Sequence, residues 1–285
     1  MVALKSFEYN EVKIEKLEDI YKYEQDFNKL YSMPFIGKNT IFQAFFRGQE
    51  NALWEIQPSI VRNKCDEYEV YLRHQNKLKG KTVFSQVAYL QHYMTGTRFI
   101  DFTCSLDVAL YFACKDSKDV DGAVFFCCYD AHKSEWYDTI VFTEIMMMEN
   151  KGEIKIKDFS KNLIEKYEVI NNRFANIDDL SAALVSYLDF GYMVIPNEED
   201  LKNNIRLNRQ KGVFFITGVK FKETLTGEQR VSSRAGNNIF LSHSINVPDF
   251  LIRGNGLVKC IIPKELKEEI LFDLNKKNIN EKHLF

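Results

Sequence analysis

The segment Gly122-Ala-Val-Phe-Phe-Cys-Cys-Tyr129 is apolar at nearly every position, with Asp130 at its end. Strict alternation would mark a strand with one wet face; an unbroken run marks a strand covered on both. Ile41, Phe42, Ala44 and Phe45 make a similar run that closes on Phe46-Arg47-Gly48-Gln49. Val213-Phe-Phe-Ile-Thr217 and Leu257-Val-Lys-Cys-Ile-Ile262 read as further strands, and Tyr192-Met-Val-Ile195 as a short one halted by Pro196. The chain must therefore supply helices to cover a sheet.

Helical spacing is found over 12–31, where Val12, Ile14, Leu17, Ile20, Phe27 and Leu30 recur, and Met33-Pro34-Phe35 ends it. Two more helices are expected at about 64–79 and 83–93, split by Lys79-Gly80-Lys81. The segment 105–116 places Leu106, Ala109, Leu110 and Ala113 on one face behind Ser105 as N-cap. Residues 177–188, Glu198 to Arg206, and Pro263 to about 275 also read as helices, and Trp54 to Arg62 as a turn and short helix with Pro58 early in it. Residues 139–149 fit strand or helix equally. Helices and non-alternating strands mix irregularly, which predicts an α+β fold: one mixed-sheet domain with flanking helices, not a doubly wound sheet. The expected division is a helical segment at 1–40 packed on a domain at 41–285.

Composition narrows the function classes. Among 285 residues, 13 Gly and 5 Pro leave little for linkers or low-complexity segments. A net charge of −2 and a pI near 6.3 give no global basic field for nucleic acid. No run approaches the length of a membrane span, and the start lacks the apolar stretch of a signal peptide. Six Cys include the adjacent pair Cys127-Cys128, which suits no ordinary disulfide framework. A reduced, cytoplasmic protein is expected. Five scattered His and no metal-ligand spacing speak against zinc. Neither a Rossmann fingerprint nor a P-loop is present.

Three loci carry chemistry. Arg47, after an apolar strand run, either reaches into a cleft as a fork for phosphate or carboxylate or pairs structurally with Asp101 or Glu50. Gln91-His92-Tyr93-Met94-Thr95-Gly96-Thr97-Arg98-Phe99-Ile100-Asp101-Phe102-Thr103-Cys104-Ser105 packs polar groups densely before a helix. Thr103 and Ser105 at that helix start suit an anion, although Ser105 as a cap and Asp101 as a turn residue explain themselves too. Cys104 there is either a thiolate nucleophile or, more simply, a buried structural thiol. Ser242-His243-Ser244 reads as a polar loop. Arg206 and Gln210 stand at the entrance of the strand at 213, where polar side chains can line a cleft.

Taken together these motifs resemble the FRG domain, named for Phe46-Arg47-Gly48. Gln91-His92-Tyr93, Thr97-Arg98-x-x-Asp101-x-Thr103 and the helix with Ala109, Leu110, Phe112 and Ala113 resemble its second signature. Asp121-Gly122, Arg206-x-x-x-Gln210-x-Gly212-x-Phe214 and Ile262-Pro263-x-x-x-Lys267 extend the resemblance over roughly 41–285. It implies a bacterial or phage-associated protein. The motif order is also similar to that of Arg–Ser–Glu-type ADP-ribosyltransferases, which implies a split sheet and NAD as cofactor. On that comparison Arg47 with Gly48 holds phosphate, Thr97, Arg98, Thr103 and Ser105 shape the binding pocket, and Gln210, Asp101 and His92 take the catalytic positions. Gln210 stands where a Glu is expected and cannot act as a carboxylate base. Either Asp101 or Glu144 supplies the acid, or the domain binds a nucleotide without transferring it, as a sensing module in phage defence or regulation. The acceptor, if there is one, is protein, nucleic acid or water.

Overall fold

The computed structural model describes residues 10–31, 41–93, 96–149, 154–188, 191–223, 239–246 and 257–285. Its strands are β1 (Asn10–Lys13), β2 (Ile41–Gln49), β3 (Phe99–Thr103), β4 (Gly122–Lys133), β5 (Ile154–Lys155), β6 (Tyr192–Ile195), β7 (Gly212–Ile216), β8 (Gly218–Glu223), β9 (Ile239–Asn246) and β10 (Leu257–Ile262). The helices are α1 (Leu17–Tyr31), α2 (Ser59–Asn63), α3 (Glu67–Leu78), α4 (Val83–Tyr93), α5 (Leu106–Cys114), α6 (Tyr137–Met146) and α7 (Ile156–Lys166). They continue with α8 (Glu168–Asn171), α9 (Ile177–Tyr187), α10 (Glu198–Asn203), α11 (Ile205–Arg209), α12 (Lys267–Lys276) and α13 (Glu281–Leu284).

Seven strands form one mixed sheet in the order β1-β10-β4-β2-β3-β7-β6, and β5, β9 and β8 form a second. The length of β4 shapes the first sheet. One edge of β4 lies along β2 from Ala123 to Ala131. The other takes β10 as far as Cys127 and then β6 from Ala131 onward. Because β6 also pairs with β7, the strands β4-β2-β3-β7-β6 close on themselves and the sheet curls. Phe45, Ile100, Phe102, Phe125, Met193 and Phe215 fill its interior.

Helices cover both outer flanks, as the unbroken apolar runs require. On one flank α1, α5 and α12 bury Ile20, Leu110 and Ile270 with Phe46 and Phe126. On the other, α4, α6, α7 and α9 bury Phe84, Phe142, Phe159 and Leu184 with Phe99 and Phe214. The seat of α5 is set by two glycines. A Cβ on Gly48 would fall 1.9 Å from the Ala109 carbonyl oxygen, and one on Gly122 would fall 2.4 Å from that of Ala113. Only bare backbone lets α5 lie this close to β2 and β4. Lys267, fully buried, fastens α12 to the ends of β2 and α5 by donating from Nζ to the carbonyls of Glu50 at 2.7 Å and Ser117 at 3.0 Å.

The structure departs from sequence periodicity at several points. The expected helix at 12–31 begins as β1, which pairs in parallel with the otherwise open edge of β10, and turns helical only at Leu17. Residues 139–149 fall largely in α6. The helix expected from Glu198 to Arg206 breaks at Asn204, whose side chain accepts from Leu207 N and starts α11. Ser242-His243-Ser244 is no loop: its backbone is part of β9. The expected turns at Met33-Pro34-Phe35 and Thr95 lie outside the described residues. Among the described residues no helix is long and apolar enough to cross a membrane, and no cluster of His, Cys, Asp and Glu could hold a metal ion.

Candidate functional site

β2 and β3 share a single bridge, Phe46 opposite Thr103. Beyond it β2 follows β4 and β3 follows β7, so the sheet parts at this seam. A cavity of about 190 Å³ lies over the parting, walled by α4, α5 and α11. Phe46, Arg47, Gly48, Gln91, His92, Asp101, Thr103, Arg206 and Gln210 all line it. A second cavity of about 550 Å³ adjoins it and shares Arg47, Gly48 and Phe112, adding Gln49, Trp54 and Arg62.

Arg47 is not at the strand end; β2 runs on to Gln49. Its Nη1 crosses the seam to donate to the Asp101 carbonyl oxygen at 2.6 Å. Arg47 is partly exposed overall, but its Nε is buried and has no hydrogen-bond partner among the described residues. Among the described residues no carboxylate forms an ion pair with it, so neither pairing considered from sequence, with Asp101 or with Glu50, is made. Burial lowers its pKa from 12.5 to about 10, against the pull of Asp101 and with a small push from Arg62. The guanidinium is still charged at neutral pH.

Asp101 exposes its side chain in the cleft and accepts from Gln91 Nε2 at 2.9 Å. Gln91 Oε1 in turn takes the hydroxyl of buried Thr97, which orients the amide so that its NH₂ must face Asp101. Thr97 therefore stands behind the cleft wall and positions Gln91. His92 sits in the wall with its ring 5.4 Å from that of Phe214 and its Nε2 buried without a partner among the described residues. Burial lowers its pKa below the usual 6.5, with Asp101 opposing and Arg206 assisting, so the ring is neutral at pH 7. Arg206 lies across the His92 carbonyl at 3.2 Å and over the Phe285 ring at 4.3 Å.

Arg98 lies outside the cleft. It is fully buried and held by Glu67, with Nε to Oε2 at 2.9 Å, Nη2 to Oε2 at 2.5 Å and its backbone N to Oε1 at 2.6 Å. This is an internal ion pair tying β3 to α3, not an anion clamp. Ser105 also does not line the cavity, and it caps α5 by backbone position only, since its side chain makes no cap hydrogen bond. Thr103 Oγ1 does that local work: it donates to the Gln210 carbonyl at 2.8 Å and accepts from Ser105 N at 3.0 Å. Gln210, the C-cap of α11, donates from Nε2 to the Leu284 carbonyl at 3.3 Å. Glu144 lies on α6, held by Lys166 at 2.8 Å and by the Tyr167 hydroxyl, and lines neither cavity. Cys104 is exposed rather than buried, yet desolvation lifts its pKa to about 11, against a lowering contact from Gln43 Nε2 at 3.3 Å. A thiolate nucleophile is not prepared here.

Six of the expected site residues thus meet in one cavity, while Thr97, Arg98 and Ser105 do not. Gln49, Trp54 and Arg62 were not foreseen as lining groups. Trp54 and Arg62 stand in the sequence motif after Arg47, so their spacing was visible although their convergence was not. The FRG domain family model matches residues 43–122, which takes in Arg47, His92, Asp101 and Thr103 but leaves out Gln210 and Lys267. No curated protein and no solved structure matches the chain. From β2 to the start of β4, the chain carries an FRG domain.

Proposed function

We propose that the cleft at the parted seam of β2 and β3 binds the phosphate-bearing part of a nucleotide, with NAD the first candidate. One observation carries this reading. Arg47 is a partly buried cation without a carboxylate partner among the described residues, set in the wall common to two cavities. Leaving a charge unpaired in this way is costly, and an anionic ligand would supply the missing partner bidentately. The buried His92 Nε2 in the same cavity, unpartnered among the described residues, supports it. The inner cavity of about 190 Å³ is small for a dinucleotide, but the adjoining one of about 550 Å³ brings the pair into the usual range for such ligands. The parted seam is in keeping with the ADP-ribosyltransferase comparison.

Within this cleft Arg47 clamps phosphate and the Asp101 carboxylate, held by Gln91, receives a ribose hydroxyl. Asp101 is the one carboxylate lining the inner cavity among the described residues, so any cleavage of the nicotinamide–ribose bond would depend on it. Gln210 contributes a neutral amide at most. Thermal shift with NAD, ADP-ribose and ATP tests the binding: the reading requires a raised midpoint for at least one of them and none in Arg47→Ala. Nicotinamide release from NAD, lost in Asp101→Asn, separates a transferase from a sensing module. No shift with any of the three would end the nucleotide reading.

A further inference from the structure

A third cavity, of about 860 Å³, opens at the far end of β4 and shares no lining residue with the cleft. His132 lies in its wall. It stands seven residues along β4 from Phe125, the register partner of Arg47, hence about 23 Å away. His132 Nδ1 is in close hydrogen-bond contact with the Asp138 carboxylate, whose other oxygen accepts from Thr139 N at 2.8 Å. A carboxylate only accepts, so Nδ1 is the donor in this contact and Nε2 is the ring nitrogen turned away from Asp138. The ring lies flat on Tyr192 at 4.2 Å and meets Trp136 edge-on at 5.4 Å. The orientation of the ring is thus held.

The remaining lining points one way. Trp136 and Tyr137 offer aromatic surface, and exposed Glu135 and Glu168 stand with Asp138 as three carboxylates against one cation, Arg173. That cation already lies on an aromatic face, with its Cζ 4.4 Å above the Tyr137 ring. Val169, 47% exposed, adds apolar surface. Aromatic faces and an excess of carboxylates together favour a positive group with N–H donors and an apolar stem.

We propose that this cavity is a second ligand site, taking a small organic cation: an alkyl chain ended by a guanidinium or ammonium group. The head meets the carboxylates beside Trp136, and the stem lies on Val169. The site is independent of the nucleotide cleft.

The chain has two tryptophans, Trp54 beside the cleft and Trp136 here, so Trp54→Phe leaves Trp136 as the sole indole reporter. Emission of that variant is followed while agmatine, spermidine or N-acetylarginine amide is added at constant ionic strength. The proposal predicts a saturable change with agmatine or spermidine. It predicts binding about tenfold weaker in Glu135→Gln/Glu168→Gln, whose exposed side chains can be neutralised without loss of the fold. Asp138→Asn should weaken it further while far-UV circular dichroism is unchanged. An unsaturable response, or one unaltered by removing both rim carboxylates, overturns the proposal. A response to N-acetylarginine amide alone would overturn it in favour of a protein-borne arginine.

Discussion

Two arginines in the family-matched region make opposite predictions, and the contrast isolates what Arg47 is for. Arg98 is paired: its guanidinium and backbone N hold both oxygens of Glu67 in a fully buried site. Arg98→Met strands the Glu67 carboxylate and should cost about 3–5 kcal/mol. Arg47 has no such partner among the described residues. The drop in its pKa from 12.5 to about 10 corresponds to about 3 kcal/mol against the charged form in the fold. Removing the charge recovers that amount and sacrifices one charge-assisted bond to the Asp101 carbonyl, about 1.5–3 kcal/mol. The two nearly cancel, so Arg47→Met should fall within about 1 kcal/mol of the parent protein. Urea unfolding followed by circular dichroism gives both values, with unchanged m-values showing that the unfolded states are comparable. If Arg47→Met loses 3 kcal/mol or more, Arg47 is a structural residue and is not held for a ligand.

Further outcomes follow from the same contacts. Gly48→Ala drives a methyl into the backbone of α5 and should cost about 3 kcal/mol or more by urea unfolding; a neutral result would mean that α5 does not seat where described. His92 has a lowered folded pKa, so the unfolded chain takes up its proton first as pH falls; stability should decline from about pH 6.5 downward, and His92→Gln should flatten that decline. Lys267→Met leaves the carbonyls of Glu50 and Ser117 without their donor and should destabilise by about 2–4 kcal/mol. Cys104, with a pKa near 11, should react with iodoacetamide at pH 7 no faster than an ordinary exposed thiol.

The elements with strong periodicity or unbroken apolar runs were legible from sequence, and they are the ones the sheet and its covering helices need. β10 and β6 fall at the very residues expected, because buried strands bounded by Pro196 and Pro263 leave little freedom at their ends. The initial strand was not legible: Asn10 to Lys13 has no apolar pattern of its own and is ordered by an edge of β10 that is remote in sequence. The same limit applied to the site. Local spacing placed Arg47, His92, Asp101 and Gln210 as polar groups at strand and helix ends, and the fold gathers them. Spacing could not tell Arg47 from Arg98, because the difference is Glu67, contributed by a helix thirty-one positions earlier. Nor could it tell that the glycine after Arg47 answers to the Ala109 carbonyl of α5.

On the proposed function, the guanidinium of Arg47 is held for an anion of a nucleotide. Isothermal titration of NAD and ADP-ribose into the intact chain, beside Arg47→Lys, tests it most directly. A lysine keeps the charge and loses the planar fork, so the parent protein should bind and the lysine variant should lose about tenfold or more. Equal affinity in the two proteins, or no heat from either ligand, would contradict it.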